Sequence, residues 1–391
     1  MSPTRSDVLA AVTAALVLPR FARAADAPTY RAAVIGHTGK GDYGHGMDVV
    51  FADRPGIEVI AVADPIDAGR AKAQAKTKAA RAYADFREML EKEKPQLVSV
   101  APRTTPMRRD MLLAALGAGA HVVSEKPFVR SPADGDAVLA LADKRGLKIA
   151  VAHQMRLAPA VVHLKKRVDD GLIGDLVEMR AWGKQDKRAG GEDLTVLGIH
   201  LFDLMRMFAG DPQWCTARVL NKAGGDATAA DVKSAGEDLG PVLGDEIDAQ
   251  IAFGKGVWGT FTSRQRLNEY SGWWGIELIG SKGSARILND IWPRVMHRTA
   301  TKWDDAGRSE QWKPLPDDPS ANAKNADRST LLANARMVDD WLAAIREDRE
   351  PVCSGRNAAK AVEIQHAIWR AALSGGRVKL PLTDRGHALG A

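Results

Sequence analysis

Apolar runs too short for ordinary helices recur along the first third of the chain, separated by longer stretches of helical character. Runs over 30–35, 57–63, 96–101, 121–123 and 147–152 are rich in Val, Ile and Ala and read as buried strands. Between them, 47–53, 68–80, 86–93, 107–118 and 133–144 read as helices. Ser131 and Pro132 suit a helix start, while Gly119 and Gly146 suit helix ends. Strand and helix alternate throughout, which predicts an α/β fold with a doubly wound parallel sheet.

The rhythm changes after about residue 152. A helix over 160–170, a strand over 176–182 and a helix over 193–208 come first. Short strands then follow one another at 248–253, 256–264, 275–280 and 284–288, joined by Gly-Lys-Gly and Gly-Ser-Lys-Gly turns. That pattern predicts an α+β domain with a large, open, mostly antiparallel sheet. Residues 304–327 are polar, with Pro314, Pro316 and Pro319, and read as a long loop. Helices over 331–346 and 357–373 and a short segment at 378–382 end the fold, with the helices able to pack back on the first domain.

Composition narrows the function classes. With 391 residues, 45% hydrophobic and 27% charged, the chain has the make-up of a two-domain globular protein. Its net charge of +6 comes from scattered Lys and Arg, which gives no nucleic-acid footprint. Cys215 and Cys353 form no metal-ligand spacing and read as buried thiols. No metal site is expected. All ten tryptophans lie after residue 150 and read mainly as core, with Trp273 and Trp274 kept as faces for a sugar ring.

The beginning of the chain stands apart. Arg5, an apolar run over 8–18 and Ala22-Arg23-Ala24 form the charged, apolar and small-residue parts of an export signal. The run is too short to cross a bilayer. Ser6 stands where a twin-arginine signal has its second arginine. Residues 1–27 are therefore read as an export signal, 28–152 as a dinucleotide-binding domain and 153–391 as the substrate and oligomerisation domain, in a periplasmic or otherwise exported protein.

Candidate chemistry sits at the ends of the predicted strands. Gly36-His37-Thr38-Gly39 follows the first strand, and Gly39, Gly41 and Gly44 fit G-x-G-x-x-G. Such a loop lets backbone approach a pyrophosphate, and the helix over 47–53 would offer its N-terminus. The second strand ends at Asp64, 28 residues after Gly36, where a carboxylate binds ribose hydroxyls and disfavours a 2′-phosphate. That favours NAD over NADP. The strand at 121–123 runs into Ser124-Glu125-Lys126-Pro127, so Lys126 would face a bound ligand from the carboxyl end of the sheet. On the helix over 193–208, Val196, His200 and Asp203 share one face, which places an acid able to orient the imidazole one turn away.

With the glycine loop, Asp64, the run 118–127 and Gly198-Ile199-His200 with Asp203, the chain resembles the Gfo/Idh/MocA family of nicotinamide-dependent sugar and polyol oxidoreductases over about 30–382. The resemblance implies a Rossmann domain, a carbohydrate substrate and a homo-oligomer, dimer or tetramer. It places Lys126 beside nicotinamide and substrate, with His200 as the acid/base. It adds His37, Thr38, Pro102 and Glu125 to the glycines and Asp64 as cofactor contacts. Gln154, Arg156, Lys184 and the two tryptophans become substrate candidates.

Two departures from the family's pattern stand out. Ala101-Pro102-Arg103 replaces Thr-Pro-Asn, with Arg108 where a histidine is expected. Val196 replaces an aspartate that binds substrate hydroxyls. Export adds a constraint, because an exported enzyme must hold its NAD tightly and regenerate it in place. The leading expectation is hydride transfer to or from a sugar. A redox-neutral NAD-dependent glycosidase and a silent NAD- or sugar-binding protein stand as alternatives.

Overall fold

The computed structural model describes residues 30–265, 274–288, 293–299, 311–321 and 329–390. The signal-like segment, Trp273 and most of the polar stretch over 304–327 lie outside the described residues. Among the described residues, no helix is long and apolar enough to cross a membrane, and no cluster of His, Cys, Asp and Glu could hold a metal.

The first domain alternates as its pattern predicts: β1 (Tyr30–Ile35), β2 (Ile57–Ala63), α1 (Asp67–Thr77), β3 (Arg81–Tyr83), α2 (Phe86–Glu93), β4 (Leu97–Val100), α3 (Arg108–Gly117), β5 (His121–Ser124), α4 (Pro132–Arg145) and β6 (Ile149–Val151). All six strands are parallel, in the order β3-β2-β1-β4-β5-β6. Continuous apolar runs are needed because helices cover both faces, and all four residues of β4 are buried. The order reverses between β1 and β4, which opens a crevice at their carboxyl ends.

The helix expected over 47–53 is a correction. Only a 3-10 turn forms, Met47–Val49, after a left-handed Gly46 with no side-chain cap. Left-handed Asp53 and then Pro55 close the segment, and too few residues remain to nucleate an α-helix.

The second domain contains α5 (Pro159–Asp169), β7 (Leu176–Trp182), α6 (Gly191–Asp193), a π-helical turn over Leu194–Gly198, α7 (Ile199–Ala209) and β8 (Pro212–Leu220). Next come β9 (Lys233–Ser234), β10 (Pro241–Val242), β11 (Glu246–Phe253), β12 (Trp258–Arg264), β13 (Gly275–Gly280), β14 (Ser284–Leu288), β15 (Arg294–Arg298) and β16 (Lys313–Pro314). The chain ends with α8 (Thr330–Arg346), α9 (Gly355–Ser374) and β17 (Val378–Lys379). Nine strands form one sheet, β16-β15-β14-β13-β7-β12-β11-β8-β17, antiparallel except where β12 meets β7.

The closing helices tie the two sheets together. Met337, Val338 and Trp341 of α8 pack into the cluster that holds Ala32 and Val34 of β1. Ala358, Ala359 and Val362 of α9 pack with Val129 and Val138 beside α4. Trp341 and Trp369 are fully buried, so truncating either to Ala would cost about 3–5 kcal/mol. Both cysteines are free and buried.

The helix expected over 193–208 is interrupted by the π turn. Thr195 Oγ1 bonds back to the Gly191 carbonyl at 2.9 Å, and Gly198 leaves Phe261 room where a Cβ would lie 3.3 Å from its ring.

Candidate active site

The reacting end is built where β5 stops. Arg108, at the position expected to hold a histidine, is fully buried and braces the strand ends. Its guanidinium donates to Ser124 Oγ at 2.8 Å and to the carbonyls of Glu125, Pro102 and Thr104. Burial pushes its pKa down to about 10, which still leaves it charged at neutral pH. Glu125 is also buried. It accepts from the His45 backbone N–H at 2.8 Å, meets His45 Nδ1 at 2.6 Å and accepts from the Lys126 N–H at 2.7 Å. Burial pushes this carboxyl up, but the His45 bonds and the Lys126 charge outweigh it and hold it at about 2. Expected as a cofactor contact, Glu125 spends its oxygens as an ionised anchor.

Lys126 reaches across to the second domain and donates from Nζ to the Val196 carbonyl at 3.2 Å. That carbonyl belongs to the π turn over Leu194–Gly198, which interrupts the regular i→i−4 ladder. Position 196 thus meets the lysine through its backbone, in a chain that has no carboxylate there.

His200, one turn further on, is buried and has no hydrogen-bond partner for Nδ1 among the described residues. Burial, then the charges of His153, Lys126 and His45, lower its pKa well below the ordinary imidazole value. It is therefore a neutral base. Its ring lies 5.2 Å from that of His153 and 6.1 Å from that of Trp274.

Asp203 does not orient it, contrary to expectation. Asp203 Oδ2 accepts from Arg156 Nε at 2.6 Å and lies 3.5 Å from His153 Nδ1. Arg156 Nη2 also donates to the Asp203 carbonyl at 2.9 Å. Helical spacing put Asp203 on the right face, but a buried guanidinium within reach claims the carboxylate. Arg156, expected to contact substrate, is consumed in that ion pair.

A cavity of about 280 Å³ opens beside these groups, at the small end of ligand pockets. Lys126, Gln154, Lys184, Val196, His200 and Trp274, all singled out from the sequence, line it. Gln154 Nε2 donates to Asn334 Oδ1 at 2.5 Å. His45, Arg188, Met155 and Thr330 also line it and were not foreseen. Asp193 steadies the Lys184 segment by accepting from Ser263 Oγ at 2.6 Å and from the backbone of Lys184 and Gln185. Burial pushes the Asp193 carboxyl up to about 6.

The other end of the crevice departs further from expectation. Asp64 directly follows β2 and has no exposed surface. Its Oδ2 accepts from Thr38 N at 3.0 Å, Thr38 Oγ1 at 2.8 Å and Tyr43 Oη at 2.8 Å, while Oδ1 accepts from Ile66 N at 2.9 Å. The ribose contact expected of Asp64 is not presented, because the loop itself satisfies the carboxylate. The glycines serve the same packing. A side chain at Gly36 would collide with the Tyr43 ring, one at Gly41 with Arg103 and one at Gly44 with Glu125. Gly39 alone of the motif has open space about it, with φ 81°. His37 closes the turn by donating its N–H to the Asp42 carbonyl at 3.2 Å. A dinucleotide therefore fits the crevice set by the strand order and the open backbone at Gly39. Its ribose would meet Tyr43 and Thr38 already on Asp64.

Two family models cover most of the chain: "Oxidoreductase family, NAD-binding Rossmann fold" over residues 30–153, and "Oxidoreductase family, C-terminal alpha/beta domain" over residues 170–380. The chain belongs to the Gfo/Idh/MocA oxidoreductases. Within that family it is 25% identical to D-apiose dehydrogenase of Paraburkholderia graminis, over 84% of this chain and 85% of that protein. It is 25% identical to levoglucosan dehydrogenase of Pseudarthrobacter phenanthrenivorans, over 51% of this chain and 57% of that one. Among solved structures, levoglucosan dehydrogenase in complex with NADH and levoglucosan superposes with a TM-score of 0.73 at 19% identity, covering 90% of this chain and 99% of that one. The WlbA dehydrogenase from Bordetella pertussis, in complex with NADH and UDP-GlcNAcA, gives 0.68 at 20% identity over 91% and 99%. This Gfo/Idh/MocA member is an NAD-binding oxidoreductase.

Proposed function

We propose that the protein is an NAD-dependent dehydrogenase that oxidises a hydroxyl of a sugar or sugar derivative. One observation carries this reading: Lys126 and a buried, neutral His200 line the same cavity at the carboxyl end of β5. NAD, when bound, supplies the hydride acceptor. The neutral imidazole of His200 takes the hydroxyl proton, and the Lys126 ammonium, held by the Val196 carbonyl, polarises the reacting oxygen. Gly39 and Pro102 border the cofactor's path, and Gln154, Lys184 and Trp274 border the substrate. Relatives named as sugar dehydrogenases, with structures holding NADH, support net redox chemistry over a redox-neutral hydrolytic cycle.

Residues 1–27 are read as an export signal, so NAD is held tightly and regenerated in place. The outer side of the nine-stranded sheet, where Trp258 is exposed, supports association into a dimer or tetramer. To test the reading, the purified protein is denatured and its supernatant assayed for nucleotide. Sugars are then added while absorbance of the reduced cofactor is followed. Released NAD or NADH and a sugar-dependent change in absorbance are expected. Absence of bound nucleotide, together with no NAD binding by calorimetry, contradicts the reading.

A further inference from the structure

Behind the cavity lies a histidine that the hydride step leaves unused. His153 follows β6, is 3% exposed and takes no part in the cavity wall. Among the described residues, neither of its ring nitrogens has a hydrogen-bond partner, and the same is true of His200 Nδ1 and Asp203 Oδ1. Buried polar atoms are normally paired, so a cluster of orphans calls for an explanation. These groups stand in series. The His153 ring is centred 5.2 Å from that of His200, tilted by 46°, and His153 Nδ1 lies 3.5 Å from Asp203 Oδ2. At that ring separation, nitrogens turned toward each other come within hydrogen-bond reach. Such bonds commonly tighten only when substrate is bound. The other titratable neighbours preserve the order. Arg156 holds the far end by donating to Asp203, and Cys353, kept a neutral thiol by burial, donates from Sγ to the His153 carbonyl at 3.3 Å.

The series answers a difficulty in the proton step. Burial, then the charges of His153, Lys126 and His45, oppose a proton on His200. A proton kept on His200 stays near the Lys126 ammonium, whereas one on His153 rests beside the Asp203 carboxylate. We infer that His153, backed by Asp203, receives the proton equivalent that His200 takes from the substrate hydroxyl. The hydroxyl proton moves to one nitrogen of His200, and the N–H proton on its other nitrogen passes to His153. The hydride goes to NAD, so the alcohol loses one hydride and one proton, and His153 gains one proton. His153 touches no substrate and acts through His200, which makes it a positioning residue. This inference rests on the dehydrogenase reading above.

Two measurements on the full chain test it. The first needs no substrate. Histidines are labelled with nitrogen-15, and the two signals are assigned by their loss in His153→Phe and His200→Phe. Between about pH 8 and about pH 5 the His153 ring should take up a proton while the His200 ring stays neutral. A proton appearing first on His200, or none on His153, overturns the inference. The second follows turnover of D-glucose, D-apiose and levoglucosan with NAD. His153→Phe keeps the ring's bulk, and His153→Gln keeps a hydrogen bond to Asp203, yet neither can carry the proton. Both should lower kcat by about 10²-fold at high pH, the low end for a positioned acid/base, with KM and NADH affinity little changed. The deficit should narrow toward acid, where the wild-type relay is already filled with a proton. An equal deficit at every pH, or wild-type turnover in His153→Gln, marks a packing role and overturns the relay. Failure of NADH to bind to wild type overturns the dehydrogenase reading instead, and the labelled histidines still decide where the proton rests.

Discussion

At the β5 end of the crevice the reacting groups stand assembled, while at the β2 end the chain occupies its own binding surface. Lys126 is fixed by the Val196 carbonyl, His200 is kept neutral by burial and nearby cations, and Arg108 locks the strand ends beneath them. Well upstream, Tyr43 and Thr38 fold onto Asp64, and the Tyr43 ring fills the space that Gly36 leaves. Both ends carry recognisable motifs. Only one of them presents its motif residues to a ligand. A glycine in a G-x-G-x-x-G loop marks close approach, and the approaching group is here as often a side chain of the same protein as a cofactor.

The largest effects should come from the assembled end. Lys126→Ala and His200→Ala are each expected to lower turnover by about 10²–10⁴-fold, the usual worth of a positioned acid/base, with NADH still bound. Steady-state kinetics with a responsive sugar checks this, and wild-type turnover in both variants breaks the comparison at its stronger side. Asp64→Ala tests the other end. It strips acceptors from Thr38, Tyr43 and Ile66 in a buried site, so stability should fall by about 3 kcal/mol. An unchanged melting temperature with a switch toward NADP would instead restore Asp64 as a ribose ligand.

Acid should also fall on the assembled end and its supports. His200 is held well below its ordinary pKa, first by burial, and burial likewise pushes His366 down to about 3 and His121 to about 4. Below about pH 6.5 the unfolded chain binds protons that the folded chain refuses, so stability falls as pH drops toward 4. Asp193, pushed up to about 6, acts in the opposite sense, and three imidazoles outweigh one carboxyl. Denaturant titrations at pH 7 and pH 5 should differ by on the order of 2 kcal/mol, with the lower stability at pH 5.

Much of this molecule is legible from local pattern. The bounds of α2 and β7 coincide with their apolar runs, and both sheets follow from the change in rhythm near residue 152. β3 escaped because three residues beginning with Arg81 make no apolar run, and β8 because it opens on Pro212 and mixes polar with apolar residues. In the site, Lys126, His200, Gln154, Lys184 and Trp274 line one cavity, since each flanks a strand or lies on a patterned element. His45 and Arg188 sit on segments without period and reach the cavity only through long-range packing. Asp203 and Arg156 show a further limit: spacing tells which face a side chain shares, not which partner claims it. The π turn left only a glycine and β-branched neighbours as its trace.

The contrast between the two ends is tested most directly at Tyr43. Its hydroxyl donates to a buried carboxylate, a bond that dinucleotide binding must displace or share. Wild type and Tyr43→Phe are stripped of nucleotide and titrated with NADH, following transfer of tryptophan fluorescence to the cofactor. If the loop holds the β2 end shut, Tyr43→Phe binds NADH about tenfold more tightly, a change of about 1.4 kcal/mol. Equal or weaker binding by the variant would mean that Tyr43 stays in place as part of the cofactor wall, and the account of a self-occupied end would be wrong.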